Sequence, residues 1–355
     1  TLKFDIINSN SSFVNSLRRV IICEIETVGF RTEDYENSDI KMIENTGSLH
    51  NEFLLHRVGL IPVYTKDISS YDPTKYKFSL EVNNPTQQII NITTKDIKIL
   101  NIENNKLESN ELFFPKNHIT KDNILITRLK PTPDGTGEKI KFEGISSKGT
   151  GKEHIRFSPV SNICFTNKID PKRIEEEFKL YSEENPDSDS TKLKHKFMLE
   201  ESERCFHIND NGDPNIFEFT IESCGVMNTK EILIEGLNKI KMKLKLFIIE
   251  LEKSLSNNDS LIIIKKSKSL MKAFDITIEN ETHTLGHLLQ SHINNIYKEK
   301  NIFIGYMNPH PLEKKIIFRI NVEDIKAVKD IFTKTCSVIT KQCDTLISIC
   351  DKELK

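Results

Sequence analysis

Apolar positions along the chain fall into a plan that is used twice. Leu2–Ile7 (LKFDII) reads as a strand. After a Ser/Asn cluster, Phe13, Leu17, Val20 and Ile21 recur at helical spacing, with Ser12 placed to cap the helix. Residues 27–32 (TVGFRT) read as a second strand. From about 33 to 213, Pro, Gly and Asn break the pattern, and short strands such as 76–82 and 140–142 predict a mixed, largely β insertion. Within it, 181–192 (YSEENPDSDSTK) has the polar, Pro-interrupted character of an exposed, mobile loop. Phe217, Phe219 and Ile221 then alternate with polar residues as on a half-buried strand. Asn228 and Glu231 make a capping pattern for a long helix, which carries Leu233, Leu237, Ile240, Leu244, Phe247, Leu251 and Leu255 on one stripe.

The last hundred residues repeat the plan. A strand at 274–278 leads into a helix with Leu285, Leu288, Leu289, Ile293 and Ile296. A hairpin is expected at 302–306 and 316–320. A final helix presents Ile325, Val328, Phe332, Ile339, Leu346 and Cys350 on one face. Phe4-Asp5-Ile6 and Phe274-Asp275-Ile276 open the two units in the same way. The fold class expected is α+β, with two related strand–helix–strands–helix units. One unit comprises 1–32 plus 214–256 and is interrupted by the insertion at 33–213; the other is 273–355, reached through a linker at 257–272. Each long C-terminal helix has a stripe too extensive for its own small sheet, so the two units are expected to pair, through Leu237, Ile240, Leu244, Phe247 and Leu251 on one side and Leu285, Leu288, Ile325, Phe332, Ile339 and Leu346 on the other.

Composition narrows the role. Of 355 residues, 50 are Lys or Arg and 52 Asp or Glu, and the net charge of −2 argues against a chain that works mainly by wrapping nucleic acid, which needs excess cations. A stand-alone nucleic-acid-binding protein is therefore only the alternative reading. No apolar run approaches the ~20 residues of a membrane span. The opening TLKFDIINSN lacks the basic-then-apolar order of a secretory signal, and seven cysteines without a C-x-x-C pair fit reduced thiols in a cytosolic or nuclear setting.

Candidate chemistry mostly dissolves on inspection. Gly144–Lys152 (GISSKGTGK) has a Thr where a phosphate loop needs its Lys, and reads as a Gly-rich turn. His207, Asn209, Asn211, Gly212 and Glu218 have calcium-loop spacing, but His207 is a poor ligand for a hard cation, so a hairpin-type turn is expected. Cys336, Cys343 and Cys350 repeat every seven residues, a rise of ~10.5 Å along a helix, too far to share one metal; they read as small apolar stripe residues. His283 and His287 lack a third ligand. Lys265, Lys266, Lys268 and Lys272 read as a solvated basic linker. No catalytic constellation emerges, so the chain is not expected to be an enzyme by itself.

Three stretches carry a family resemblance. Asn15-Ser16-Leu17-Arg18-Arg19-Val20, with Leu49-His50-Asn51-Glu52-Phe53-Leu54-Leu55-His56-Arg57-Val58-Gly59-Leu60-Ile61-Pro62, resembles the third-largest subunit of multisubunit DNA-directed RNA polymerases, a relative of the bacterial alpha N-terminal domain. Gly149-Thr150-Gly151-Lys152-Glu153-His154 with Phe157-Ser158-Pro159-Val160 resembles a loop in that subunit's insertion. His283-Thr284-Leu285-Gly286-His287-Leu288-Leu289, with Gly305-Tyr306 and Pro309-His310-Pro311-Leu312-Glu313, is similar to the eleventh subunit, normally a separate chain; His287 stands where that motif commonly has Asn. Their order in one chain resembles the fused third/eleventh subunit of large cytoplasmic DNA viruses of the African swine fever virus type.

The resemblance implies two alpha-like dimerisation units forming a non-catalytic assembly platform for viral transcription. The implied partners are the second-largest and largest subunits and a small zinc-binding tenth-type subunit, without membrane, sequence-specific DNA contact or homo-oligomer. It implies large-subunit contacts at Asn15, Arg18, Arg19, Glu52, His56, Arg57, Lys152, Glu153 and His154. Of the adjacent Arg18 and Arg19, at most one can face inward, leaving the other for a partner carboxylate. It also implies a location in the host cytoplasm and the virion, with the nucleus as alternative. Eukaryotic third subunits usually hold zinc on four insertion cysteines; the insertion here has only Cys164 and Cys205, so no zinc or other cofactor is expected.

Overall fold

The computed structural model describes residues 1–353 apart from 35, 118, 187–188, 257–258, 268–271 and 301. The helices described, in chain order, are α1 (Ser11–Cys23), α2 (Asn51–Gly59), α3 (Pro171–Glu184), α4 (Ser190–Glu200), α5 (Thr229–Leu255), α6 (His283–Ile296) and α7 (Ile325–Glu353). Two units divide the chain: residues 1–20, 162–221 and 233–355 form one, and 21–161 with 222–232 form the other.

In the first unit, strand Leu2–Ile7 runs antiparallel to Ile216–Ser223, with Phe4 opposite Phe219 and Ile6 opposite Phe217. Strand Val160–Asn167 completes this three-stranded sheet on the other side of Ile216–Ser223. That pairing is why 162–213, expected in the insertion, belongs to this unit instead. The segment is also more helical than its polar composition suggests. Asp170 caps α3 by accepting from the Lys172 amide at 3.0 Å, Pro171 occupies the first turn, and Asp189 caps α4 through the Thr191 amide at 2.9 Å. The loop expected at 181–192 is thus the end of α3 and the start of α4, with 187–188 outside the described residues.

The second half of this unit is a four-stranded antiparallel sheet in the order Ile262–Lys266, Ala273–Glu279, Lys315–Asn321, Ile304–Met307. Ile276, Ile278, Ile304, Ile316, Phe318 and Ile320 are among its buried residues. The expected linker at 257–272 therefore contains an edge strand. Ser260 donates to the Glu250 carbonyl at 2.8 Å and the Leu261 amide to the Glu250 carboxylate at 3.0 Å, turning the chain back so that Ile262 is buried opposite Ile278. Lys265 and Lys266 lie on that strand, where charge discourages further edge pairing; Lys268 is outside the described residues.

Helices α5 and α7 run antiparallel. Phe247 meets Phe332 at 5.3 Å between ring centroids, and Phe332 in turn meets Phe318 of the sheet at 5.6 Å. Lys241–Asp344 (2.5 Å) and Lys329–Glu252 (3.0 Å) bridge the two helices farther along. Leu237, Ile240, Leu244, Phe247, Leu251, Leu285, Leu288, Phe332 and Ile339 are buried, as are Cys336, Cys343 and Cys350. Leu346 is half-buried. Ile325 is 37% exposed, because it opens α7 and the buried stripe begins one turn later at Val328.

The second unit is built on a five-stranded antiparallel sheet in the order Ile40–Asn45, Lys139–Ile145, Tyr76–Asn83, Lys98–Asn101, Lys106–Glu108. Two strand pairs accompany it, Ile90–Thr93 with Leu125–Leu129 and Glu26–Gly29 with Ser147–Thr150. Its core joins Phe30, Phe78, Phe114 and Phe142 to Leu54, Leu55 and Val58 of α2. Gly149, expected in a turn, lies on a strand; the turn follows it at 151–153.

Candidate functional site

In the second unit, Gly149 and Gly29 are required by one aromatic ring. Strand Ser147–Thr150 pairs antiparallel with Glu26–Gly29, placing Gly149 opposite Thr27. The buried Phe157 ring lies across both strands: a Cβ on Gly149 would approach it to 2.6 Å and one on Gly29 to 3.0 Å. Thr27 Oγ1 donates to the Phe157 carbonyl at 2.8 Å and locks the arrangement. Gly151 passes beneath the Ile22 carbonyl, where a side chain would collide with backbone.

The polar residues that follow divide by role. Arg31 makes a two-pronged contact with Glu153 (2.6 and 3.0 Å) and donates to the Lys148 carbonyl at 2.7 Å. The hydrogen bonds from Arg31 hold the Glu153 carboxyl below its ordinary range, and Glu153 correspondingly raises the Arg31 pKa. His154 Nδ1 accepts from the Arg156 amide at 3.2 Å and caps the short turn Ile155–Phe157. Lys152 is exposed, with no ion pair among the described residues.

Arg156 is the anchor of this region, and sequence reasoning missed it. Its side chain is 1% exposed. The guanidinium donates to the Phe30 carbonyl, to Thr32 Oγ1 at 2.9 Å and to the Glu33 carboxylate. Burial pulls its pKa down while Glu33 opposes that shift. Gly59, at the end of α2, lies against it: a Cβ there would strike Thr32 Oγ1 and the guanidinium, with Cζ only 3.2 Å away. The glycine of one motif thus makes room for the arginine of another, a link invisible at 97 residues' separation.

Helix α2 buries Leu54, Leu55 and Val58 and turns Glu52, Phe53, His56 and Arg57 outward. Arg57 is folded back, donating to the carbonyls of Ile126 (2.7 Å) and Leu125 (2.8 Å). The Glu52 and His56 side chains are exposed and make no hydrogen bond or ion pair among the described residues. Beside them Phe53 is 67% and Leu60 47% exposed. An exposed aromatic and leucine bracketing unpaired polar side chains, on a helix whose other face is fixed in the core, make a rigid surface suited to protein contact.

In the first unit, α1 lies along the start of α6. Asn10, not Ser12, caps α1: its Oδ1 accepts from the Phe13 amide at 2.8 Å. Ser12 Oγ instead donates to the His287 carbonyl at 3.1 Å, Ser16 Oγ to the Thr284 carbonyl at 3.2 Å, and Arg19 Nε to Thr284 Oγ1 at 2.8 Å. Arg18 is tied to Asn15 Oδ1 (2.9 and 3.1 Å). Neither arginine is therefore wholly free. Gly286 lies under the Tyr306 ring, which a Cβ at this position would approach to 2.7 Å, and His283 Nδ1 is 3.3 Å from the Tyr306 hydroxyl. The His287 ring points outward, and 309–313 form an exposed tip between two strands.

Asn15, Arg18 and Arg19 thus lie in one unit, and Glu52, His56, Arg57, Lys152, Glu153 and His154 in the other. Among the described residues no group of three His, Cys, Asp or Glu side chains is placed to hold a metal ion, and no helix is long and apolar enough to cross a membrane. Residues 3–244 match the RNA polymerase Rpb3/Rpb11 dimerisation domain, and residues 273–348 match a second form of the same domain. The chain belongs to the Rpb3/Rpb11 family.

Among similar proteins, a conjugation stage-specific protein of Tetrahymena thermophila is 26% identical over 298 residues, 72% of this chain and 93% of its own length. The DNA-directed RNA polymerase II subunit RPB3 of Schizosaccharomyces pombe is 24% identical, covering 71% of this chain and 84% of its own. The Dictyostelium discoideum subunit rpb3 is 27% identical, covering 68% and 88%. The two Rpb3/Rpb11 matches coincide with the repeated strand–helix plan, and the second begins at the strand that opens the repeat, Ala273–Glu279.

Proposed function

We propose that this chain is the assembly platform of a DNA-directed RNA polymerase, with a third-type and an eleventh-type subunit joined in one polypeptide as in viruses of the African swine fever virus type. It is a structural subunit and not the catalytic one. The observation that carries the reading is the occurrence of two Rpb3/Rpb11 matches in one chain, with α5 of the first and α7 of the second packed antiparallel through Phe247 and Phe332. What separate subunits achieve by association, this chain achieves within itself: a short connection holds the second lobe at an effective concentration on the order of mM.

In this reading the second-largest subunit docks on Glu52, Phe53, His56 and Leu60 of the α2 surface and on Lys152. Glu153, His154 and Arg57 shape that surface from within, since their side chains are engaged in the unit's own contacts. Asn15, Arg18 and Arg19 form a second contact in the other unit. The largest subunit and a small zinc-binding tenth-type subunit join the complex, which works in the host cytoplasm and is carried in the virion.

Affinity purification of the tagged chain from infected or expressing cells tests this. Two very large polymerase subunits should co-purify, and Phe53→Ala with His56→Ala should lower their recovery while leaving the circular dichroism spectrum unchanged. A chain that purifies alone, or with nucleic acid only, contradicts the proposal.

A further inference from the structure

The antiparallel pair α5–α7 leaves one apolar face uncovered. A groove of about 810 Å³ runs between the helices, lined by Met242, Leu246, Ile248 and Ile249 of α5 and by Cys336 and Thr340 of α7. Met242 is 57% and Leu246 51% exposed, at the centre of the face, where a helix meant only for solvent would place polar residues. The lining residues of α5 fall between the two ion pairs that join the helices, Lys241–Asp344 and Lys329–Glu252.

Charge says what the groove accepts. From Gly236 to Ile249, α5 carries Lys239, Lys241, Lys243 and Lys245 and no carboxylate. Lys241 and Lys243 are engaged with Asp344 and Glu281. Lys239 and Lys245 have no ion pair among the described residues. At about 100° per helical residue, these two lie roughly 60° to either side of Met242 and so flank the apolar stripe on both edges.

We infer that this groove is a docking site for an acidic amphipathic helix of a partner protein, with leucine-like residues at i, i+4 and i+7 seated over Met242 and Leu246 and carboxylates along both edges meeting Lys239 and Lys245. Length, apolarity and a methionine able to reshape the floor are the features of helix-in-groove recognition. A second copy of this chain would bring the same lysine-edged stripe against itself, opposing like charges across a two-fold contact, and is disfavoured for that reason.

The test uses the full chain and fluorescence anisotropy with a labelled synthetic helix of about five turns, carrying leucines on one stripe and glutamates on both flanks, beside an analogue with every glutamate replaced by lysine. The glutamate peptide should bind at least ~10-fold more tightly than the lysine analogue, and more weakly as salt rises. Lys239→Glu with Lys245→Glu should invert that preference. Leu246→Glu, at an exposed position and with its helix content verified by circular dichroism, should remove binding of both. No binding of the glutamate peptide, equal binding of the two peptides, or binding indifferent to Leu246→Glu overturns the inference. So does concentration-dependent dimerisation of the chain that Leu246→Glu abolishes, which would give the groove to a second copy.

Discussion

Replacing Gly59 with Ala should be harmful in the native chain and harmless once Arg156 is gone. The backbone of Gly59 is not in the left-handed region, so alanine fits its conformation; what it does not fit is the space. The new methyl would sit 3.2 Å from Arg156 Cζ and closer still to one guanidinium nitrogen and to Thr32 Oγ1. A long side chain could normally swing aside, but this one is 1% exposed and held by the Phe30 carbonyl, Thr32 and Glu33.

The upper bound on the cost is the value of Arg156 itself. Glu33 is 49% exposed and returns to water if abandoned, so the loss is mainly the hydrogen bonds to Phe30 and Thr32, about 2–3 kcal/mol in all. Gly59→Ala should therefore cost about 1–3 kcal/mol. In an Arg156→Ala background the guanidinium is absent and Thr32 is free to turn. There the same change should be neutral or stabilising by up to ~1 kcal/mol, the preference of a helix for Ala over Gly. Amide hydrogen exchange across α2 measures this locally, without requiring the two units to unfold as one. An equal cost in both backgrounds would mean that Gly59 and Arg156 do not share this space, and the link between the two motifs would fail.

Changing both Arg18 and Arg19 to Ala should leave the chain folded yet weaken capture of the second-largest subunit at least ~10-fold, as expected when an interfacial charge contact is lost; unchanged capture in a pull-down would place the contact elsewhere. Burial lowers the pKa of His292, whose ring lies 2.8 Å from the Leu288 carbonyl. Between its folded pKa and the ordinary 6.5 the unfolded chain binds more protons, so stability should fall as pH drops below about 6.5. Thermal melts at about pH 7.5 and about pH 5.5 should show a smaller difference for His292→Gln than for the native chain. Burial raises the Cys336 and Cys343 thiols to about 12, so iodoacetamide should label exposed Cys164 long before either; early labelling at both would mean that α7 does not bury them. Leu244→Ala, at a fully buried site on α5, should cost about 2–5 kcal/mol in urea denaturation, and a loss under ~1 kcal/mol would show that the α5–α7 contact is not packed as described.

The repeated plan was legible because it rests on local periodicity: Phe217, Phe219 and Ile221 alternate, and Leu237, Leu244 and Leu251 fall on one helical face. Edges were harder to read. Asn10 and Ser12 are both capping residues by type, and only the carbonyl of His287, far along the chain, decides which one turns away. Ile262–Ile264 is too short and too close to lysines to be recognised as a strand, and becomes one because Ala273–Glu279 offers an open edge. In the candidate site, the glycines at 59, 149 and 151 stood out by motif, but their reason did not. It lies in Arg156 for Gly59, in Phe157 for Gly149 and in the Ile22 carbonyl for Gly151, partners distant in sequence that no local pattern reports. The outward face of α2 was half read: Glu52 and His56 came with the family resemblance, and the exposed Phe53 between them was not among the expected contacts.

Native mass spectrometry of polymerase purified through a tag on this chain tests most directly whether one polypeptide supplies both alpha-like lobes. A complex with one copy of this chain, both large subunits and no separate eleventh-type subunit is the predicted composition. Two copies of the chain, a separate eleventh-type subunit beside it, or the absence of the large subunits would contradict it.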